Sequence, residues 1–529
     1  MRAIIKAGWI VLLLAGFAAA DDLVPTASSE PPAAAEPPPA SESPQANEPP
    51  QANEPPPASE SPPASESPPA SESPPASESP PPVAIAPPVP SASRVQIELD
   101  VRGELFAPTG RETEPVRQPI AVEARFDFIE RPDTATDRAA IREYAEAKAC
   151  VTVAGRPAEV SLPAAARRVV VALRGTTPVP YLAEGFLSRA ELDLLDAPFD
   201  ALLLDRLLPA EPVAVGAKWT VSADAAAGML AIDTIEAGGI DAELTAVEGD
   251  QATVRLAGIV DGAVDGVPTH LVIEGECVVG ATAAAEPAPA WRLVATRVVT
   301  VTIRERRQAG HVAPGFEVEA RVAVARRPHA AGAEAADAPT PAPPAGRRGG
   351  AGRPGMVWHS DPAGGCDLVC DARWRVVEDG PAGLVLRFVD HGALVGQCSL
   401  TTLPRANALE PPTIAAVQRD IERSLGGQFD HFEDAAEVTR EDGVRIVRIV
   451  TAGTAENLPF RWIHHVLTAA DGRRAAATFM FEASAAGRFA AADREFVAGL
   501  AFPGAAAPPA AAGSPAERAA RVPRETVTP

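Results

Sequence analysis

Glutamate recurs at positions 30, 36, 42, 48, 54, 60, 66, 72 and 78, a strict step of six through a proline-rich run from Pro25 to Ser93. The centre of the run is PPASES in tandem, at Pro56–Ser61, Pro62–Ser67, Pro68–Ser73 and Pro74–Ser79. So little apolar side-chain area cannot offset about 1–2 kcal/mol of backbone entropy per residue, so residues 21–93 are expected to remain an unfolded tether. Paired prolines bias it toward polyproline II, with three residues per turn and about 3.1 Å rise. A six-residue step is two turns, which sets the glutamates along one edge about 19 Å apart. That spacing exceeds the Debye length of about 8 Å, so stiffness comes from proline rather than charge repulsion. No Arg or Lys flanks a PxxP core, which favours a spacer over a ligand for a proline-recognising groove.

Met1–Ala20 reads as a secretory signal: Arg2 and Lys6, an apolar stretch over Ala7–Phe17, then Ala18, Ala19 and Ala20 before Asp21. That core is shorter than the roughly 20 residues a spanning helix needs. Cleavage after Ala20 would leave a periplasmic or secreted chain with no transmembrane segment. The formal charge is −23, and residues 21–93 hold eleven acids without one Lys or Arg. This balance argues against nucleic acid and anionic membrane surfaces as partners.

Export permits disulfides among Cys150, Cys277, Cys366, Cys370 and Cys398. Cys366, Cys370 and Cys398 are close enough in sequence for any pair of them to join. The odd count leaves at least one thiol over. A zinc site would need a fourth ligand and a second close pair, which the sequence lacks.

Beyond the tether, residues 94–325 carry strand patterns. Val95, Ile97, Leu99 and Val101 alternate with polar neighbours, as do Ile120, Val122, Ala124, Phe126 and Phe128. Thr134–Cys150 is helix-permissive. Ser188 and Glu191 form a capping box ahead of Leu192, Leu194 and Leu195, and Pro198 stops that helix. From Ile240 to Ala325, strand-length runs separated by short turns imply an antiparallel meander, with the leucine-rich 186–208 segment as a helical lid. Asp193, Asp196, Asp200 and Asp205 lack the alternate spacing of a calcium loop and read as the solvated edge of an amphipathic segment. Leu207-Leu208-Pro209 followed by Val213, Val215, Gly216 and Trp219 resembles a signature of uncharacterised exported bacterial proteins, which implies no activity. A curved sheet with such a lid is similar in architecture to periplasmic lipoprotein carriers.

Residues 326–355 form a linker rich in Ala, Pro, Gly and Arg. Gly350, Gly352 and Gly355 match a dinucleotide fingerprint by spacing alone. No strand precedes them, and Pro354 removes an amide that a phosphate cradle would want. Residues 356–503 follow, with strands over 373–377, 384–389 and 393–400, a helix capped by Thr413, strands over 444–451, 460–467 and 475–482, and a closing helix with Phe489, Phe496, Val497 and Leu500. Residues 504–529 are expected to be a disordered tail.

Gln397-Cys398-Ser399-Leu400, the run Leu458–Phe479, and Phe489–Phe502 resemble the PsbP-like group, which includes photosystem extrinsic subunits and bacterial periplasmic relatives. The resemblance covers little more than a quarter of the chain. It implies a non-enzymatic binding or assembly module built as an α/β/α sandwich, and it transfers no catalytic residue. The expected class is therefore α+β, with an antiparallel β-rich first body under its lid and a PsbP-like second body.

HExxH, GxSxG and GxxxxGK[ST] are absent. His464 and His465 are adjacent on a predicted strand, so they point to opposite faces, one packed and one exposed. No catalytic, cofactor-binding or metal-ligating set emerges, and no cofactor is implied. The expectation is an exported non-enzymatic binding or scaffold protein of the bacterial cell envelope, engaging an envelope protein. The rival is a periplasmic carrier of a lipid or other hydrophobic ligand in the β-rich body.

Overall fold

The computed structural model describes residues 92–502 apart from 108–114, 134–138, 210, 212, 250, 284–290, 311–313, 330–349, 361–364, 381–382, 391–392 and 406–412. The signal sequence, nearly all of the tether, the middle of the 326–355 linker and the 504–529 tail lie outside the described residues.

The first body is built on β1 (Ser93–Ala107), β2 (Val116–Pro132), β3 (Ala139–Val153), β4 (Arg156–Ser161), β5 (Arg168–Arg174), β6 (Thr177–Tyr181), β7 (Leu187–Ser188), β8 (Lys218–Thr220), β9 (Thr234–Glu248), β10 (Gln251–Val264), β11 (Val267–Ala283), β12 (Trp291–Arg307) and β13 (Gly315–Pro328). All but β7 form one 12-stranded sheet in the order β6-β5-β3-β2-β1-β13-β12-β11-β10-β9-β8, with β4 paired to β3. The sheet does not close into a barrel. The long strands bury alternate residues, as period-two patterning requires. On β2, for instance, Ile120, Val122, Ala124, Phe126 and Phe128 face inward while Glu123 and Arg125 face solvent. Helix α1 (Arg189–Leu195), a 3-10 turn over Ala201–Leu207 and α2 (Ala223–Leu230) pack against this inner face.

The second body adds β14 (Met356–Ser360), β15 (Asp367–Asp371), β16 (Trp374–Gly380), β17 (Gly383–Asp390), β18 (Ala393–Leu403), α3 (Ile414–Leu425), β19 (Phe429–Thr439), β20 (Arg445–Ala455), β21 (Leu458–Thr468), β22 (Arg474–Glu482), α4 (Ala486–Phe489), α5 (Ala492–Ala498) and β23 (Leu500–Ala501). Its seven-stranded sheet runs β16-β17-β18-β22-β21-β20-β19. The amphipathic stripe of α3 explains its place: Val417 and Ile421 cover Val447, Ile449 and Val466 in one small core. A larger core gathers Trp374, Phe388, Phe479, Phe489 and Phe496, with rings at 4.9–6.3 Å from Trp374.

A four-stranded sheet, β23-β15-β14-β7, joins the bodies. Strand β14 pairs in parallel with β7, Val357 opposite Leu187 and Trp358 opposite Ser188. Leu192 of α1 packs against the main cores of both bodies, and Arg189 donates to the Ala372 carbonyl at 3.0 Å. The glycines with the accidental fingerprint spacing serve this junction. The Gly352 amide donates to the Ala183 carbonyl and the Gly185 amide to that of Gly350. A Cβ on Gly352 would fall 1.6 Å from the Leu182 carbonyl oxygen.

The fold class differs from the α+β expectation. Among the described residues the fold is mostly β, 65% strand against 16% helix, with large antiparallel sheets in place of a helix-covered sandwich and a lidded sheet. Two local causes stand out. Residues 139–150, helix-permissive through their alanines and glutamates, lie in β3, because Ala140, Arg142 and Tyr144 and then Ala147 and Ala149 bury in two-residue steps separated by one irregularity. The leucine-rich segment breaks into a seven-residue helix and a 3-10 turn around Phe199, which takes a left-handed φ of 56°. Phe199, Leu203, Leu204 and Leu207 are each 0% exposed, so this segment is part of the core rather than a lid over it.

Candidate functional site

The inner face of the first sheet carries charge where its alternation predicts apolar side chains. Glu130 continues the inward phase of Phe126 and Phe128 on β2, and Arg142 precedes Tyr144 on β3. Arg297 precedes Val299 and Val301 on β12, and Arg326 follows Val322 and Val324 on β13. Strand register sets them along a shallow diagonal of the sheet: Arg142 opposite Glu130, Glu130 opposite Ser93, then, two residues along β1, Val95 opposite Arg326, and Arg326 opposite Arg297.

The 3-10 turn completes this row from above. Arg142 donates through Nε to Glu130 Oε2 at 2.9 Å, and through Nη1 and Nη2 to Asp200 at 2.9 and 2.5 Å. Its guanidinium also lies 4.9 Å from the Phe128 ring centroid. Asp200 accepts the Leu202 amide as the cap of the turn. Asp205 pairs with Arg297 and, at 3.5 Å, with Arg326. Three carboxylates and three guanidiniums thus alternate across the interface. Burial opposes the Arg142 charge, but Asp200 and Glu130 outweigh it and hold the group well above its ordinary value. Burial, with the Arg326 charge beside it, pulls Arg297 down to about 10. Tyr144 is pushed up to about 12 by burial, against the pull of Arg142.

This arrangement corrects the reading of the four aspartates as a solvated edge. Asp193 and Asp200 are 4% and 7% exposed, and Asp193 binds Arg189 one helical turn away. The signal that could have found them was the unpaired charge at inward phase on β2, β3, β12 and β13, because such a charge must meet its opposite.

Arg142 and Asp200 also line a cleft of about 80 Å³, bounded by Thr177 and Pro178 of β6, by Asp196, and by Ala231 and Asp233 after α2. It holds space for little more than water. A second polar pair closes the other end of β12, where Glu305 contacts Arg307 and accepts from Thr269 Oγ1 at 2.9 Å.

Arg297 is the weakest member of the row, since burial and the neighbouring Arg326 charge oppose its own charge and its Nε lacks a hydrogen-bond partner. Arg297→Met is therefore expected to change stability by no more than about 1 kcal/mol, or to raise it, because an apolar isostere avoids the desolvation of the ion and Asp205 keeps Arg326. Urea unfolding of the two proteins measures this.

In the second body His464 and His465 do lie on opposite faces of β21, but neither is exposed. His465 Nε2 sits 2.9 Å from Asp493 Oδ2 on α5, and Arg448 donates to the same oxygen at 2.9 Å. His464 is half-buried, with Nδ1 3.3 Å from Thr478 Oγ1. Burial, then the neighbouring His465, lowers His464 to about 4, and burial also lowers His465 although Asp493 opposes it. Between pH 6.5 and 4 the unfolded chain binds a proton that the folded His464 refuses. Stability should thus fall as pH drops through that window, by about 3 kcal/mol for His464 alone. Thermal midpoints from pH 7 to 4 should show this loss, shallower in His464→Gln.

Cys366, Cys370 and Cys398 come together in the larger core of the second body, while Cys150 and Cys277 lie on β3 and β11 of the first. All five carry thiols in this structure. Among the described residues no group of three or more His, Cys, Asp or Glu could hold a metal ion, and no helix is long and apolar enough to cross a membrane.

No protein-family model matches the chain, and no curated relative matches it. Among solved structures, PsbP of the cyanobacterium Synechocystis is similar over 99% of its own length and 30% of this chain, at 14% identity and a TM-score of 0.24. Lipovitellin is similar over 46% of this chain at 8% identity and a TM-score of 0.24; the chain spans only 26% of that protein. A loop-deletion mutant of OmpT, an outer membrane protein of Vibrio cholerae, aligns with 74% of this chain and 98% of its own at 7% identity and a TM-score of 0.11. A coarse likeness to PsbP over part of the chain is the extent of these findings.

Proposed function

We propose that the chain is an exported, non-enzymatic binding or scaffold protein of the bacterial cell envelope, in which two β-rich bodies are presented as one piece. The observation carrying this reading is the filled interface between the leucine-rich segment and the first sheet. Phe199, Leu203, Leu204 and Leu207 occupy the place a hydrophobic ligand would need, and ion pairs from Asp200 and Asp205 fasten the same segment to the sheet. We also propose that residues 356–503 are a PsbP-like module, on the strength of the motifs that fall on β18, β21, β22 and the closing helices.

The test is solvent extraction and lipid mass spectrometry of the mature protein purified from envelope, alongside capture of its protein partners. The scaffold reading expects no stoichiometric lipid and a protein partner whose capture survives detergent. A bound lipid near one per chain would replace it with the carrier reading.

A further inference from the structure

Strand β19 closes one end of the seven-stranded sheet and pairs with β20 alone. Among the described residues, no main-chain group of Asp434–Thr439 finds a main-chain partner outside that ladder. An open edge is a template for a further strand, and folds ordinarily blunt it with proline, lysine, a bulge or shortness. The 12-stranded sheet does so at both ends: β6 carries Pro178 and Pro180, and β8 is three residues long. At the other end of the second sheet, the register of β16 breaks between Val376 and Glu378. On β19 both register breaks fall before Asp434, while Asp434–Thr439 runs unbroken opposite Arg445–Val450. That half of the strand has no Pro, Lys or Arg. It carries Val438, at 58% the most exposed large apolar side chain among the described residues.

We infer that Asp434–Thr439 is a docking edge for an extended, basic segment of another protein, which extends the sheet by one strand. The inference rests on reading the chain as a binding protein and names the surface through which it binds. Charge decides the occupant. Strand β19 holds Asp430, Glu433, Asp434 and Glu437 and not one Lys or Arg. The arginines that meet three of these acids, Arg445, Arg448 and Arg461, lie one or two strands further in. The outermost row is therefore acidic, with the Asp434 side chain 57% and that of Glu437 38% exposed. A second copy of β19 would bring acids beside acids across the new ladder, which is destabilising. An incoming Lys or Arg meets Asp434 on one face of the sheet and Glu437 on the other, because they stand an odd number of residues apart. Val438 shares the Asp434 face and takes an apolar neighbour. Main-chain bonds supply the affinity, and these three side chains select the sequence.

The test uses a short synthetic peptide in which Val, Arg, Thr, Thr and Arg follow in that order, the antiparallel match to Val438 through Asp434. Its fully N-methylated form keeps the charge but has no amide to complete a ladder. Amide exchange of the full chain should slow across Asp434–Thr439 with the first peptide and not with the second. In the double variant Asp434→Lys with Glu437→Lys, affinity read by fluorescence anisotropy should fall by about tenfold. Its thermal midpoint should stay close to that of the unsubstituted chain, since both acids are exposed. Equal binding of the methylated peptide, or slowed exchange confined to other strands, would overturn the assignment. So would protection of Asp434–Thr439 before any peptide is added. Protection that rises with protein concentration marks a second copy as the occupant, and protection independent of it marks a segment of the same chain. Lipid extraction answers a separate question: a stoichiometric lipid removes the scaffold reading and leaves the peptide result standing. Undiminished capture of a protein partner by the double variant removes this surface and leaves the scaffold reading intact.

Discussion

Arg142→Met is expected to destabilise the full chain by about 3–5 kcal/mol, the largest single effect at a charged position. Removing the guanidinium leaves Glu130 and Asp200, 3% and 7% exposed, without their shared cation, and an uncompensated buried carboxylate costs far more than a surface pair is worth. Part of the loss should return when both acids are neutralised as well, in a triple variant with Glu130→Gln and Asp200→Asn, because the removed partners no longer leave charge behind. Urea unfolding followed by tryptophan fluorescence reads the difference. A single-variant loss below about 1 kcal/mol would show that the row does not hold the 3-10 turn to the sheet.

Gly352→Ala should loosen the junction between the bodies while leaving each core intact. The new methyl would meet a backbone carbonyl, not the flexible end of a side chain, so the chain around 350–355 must shift and give up its bonds to Ala183 and Gly185. The expected loss is about 1–3 kcal/mol or more, expressed as faster amide exchange along β7 and β14. In the unsubstituted protein, cleavage within 330–349 should leave the halves associated, since β7, β14 and Leu192 still hold them. In Gly352→Ala the nicked halves should separate on gel filtration.

Much of the strand pattern could be read in advance, and the failures have specific causes. Alternation on β1, β2, β17, β18 and β20 to β22 is plain because one or both faces are buried. Strand β19 was missed because almost every residue from Phe429 to Thr439 is at least partly exposed, so no burial rhythm marks it. Residues 139–150 misled because alanine and glutamate favour helix locally, while pairing with β2 and β5 decides the outcome. The row of buried ions was invisible residue by residue. Each charge looks like an ordinary surface residue until register places five strands side by side. The cysteine grouping was partly legible, since sequence proximity nominated Cys366, Cys370 and Cys398, and the fold gathers all three in one core.

Strand β1 lies between β2 and β13, with Ser93 facing Glu130 on one side and Pro328 on the other. The earliest strand of the first body therefore finds its second neighbour in the latest. As the polypeptide emerges from the ribosome, β1 and β2 can form a hairpin at once, but the middle of the sheet stays open along one edge until the thirteenth strand is made. An exposed edge of that length invites pairing with other chains. A nascent protein of this design has reason to be kept extended, or shielded by a holdase, until its last strand arrives.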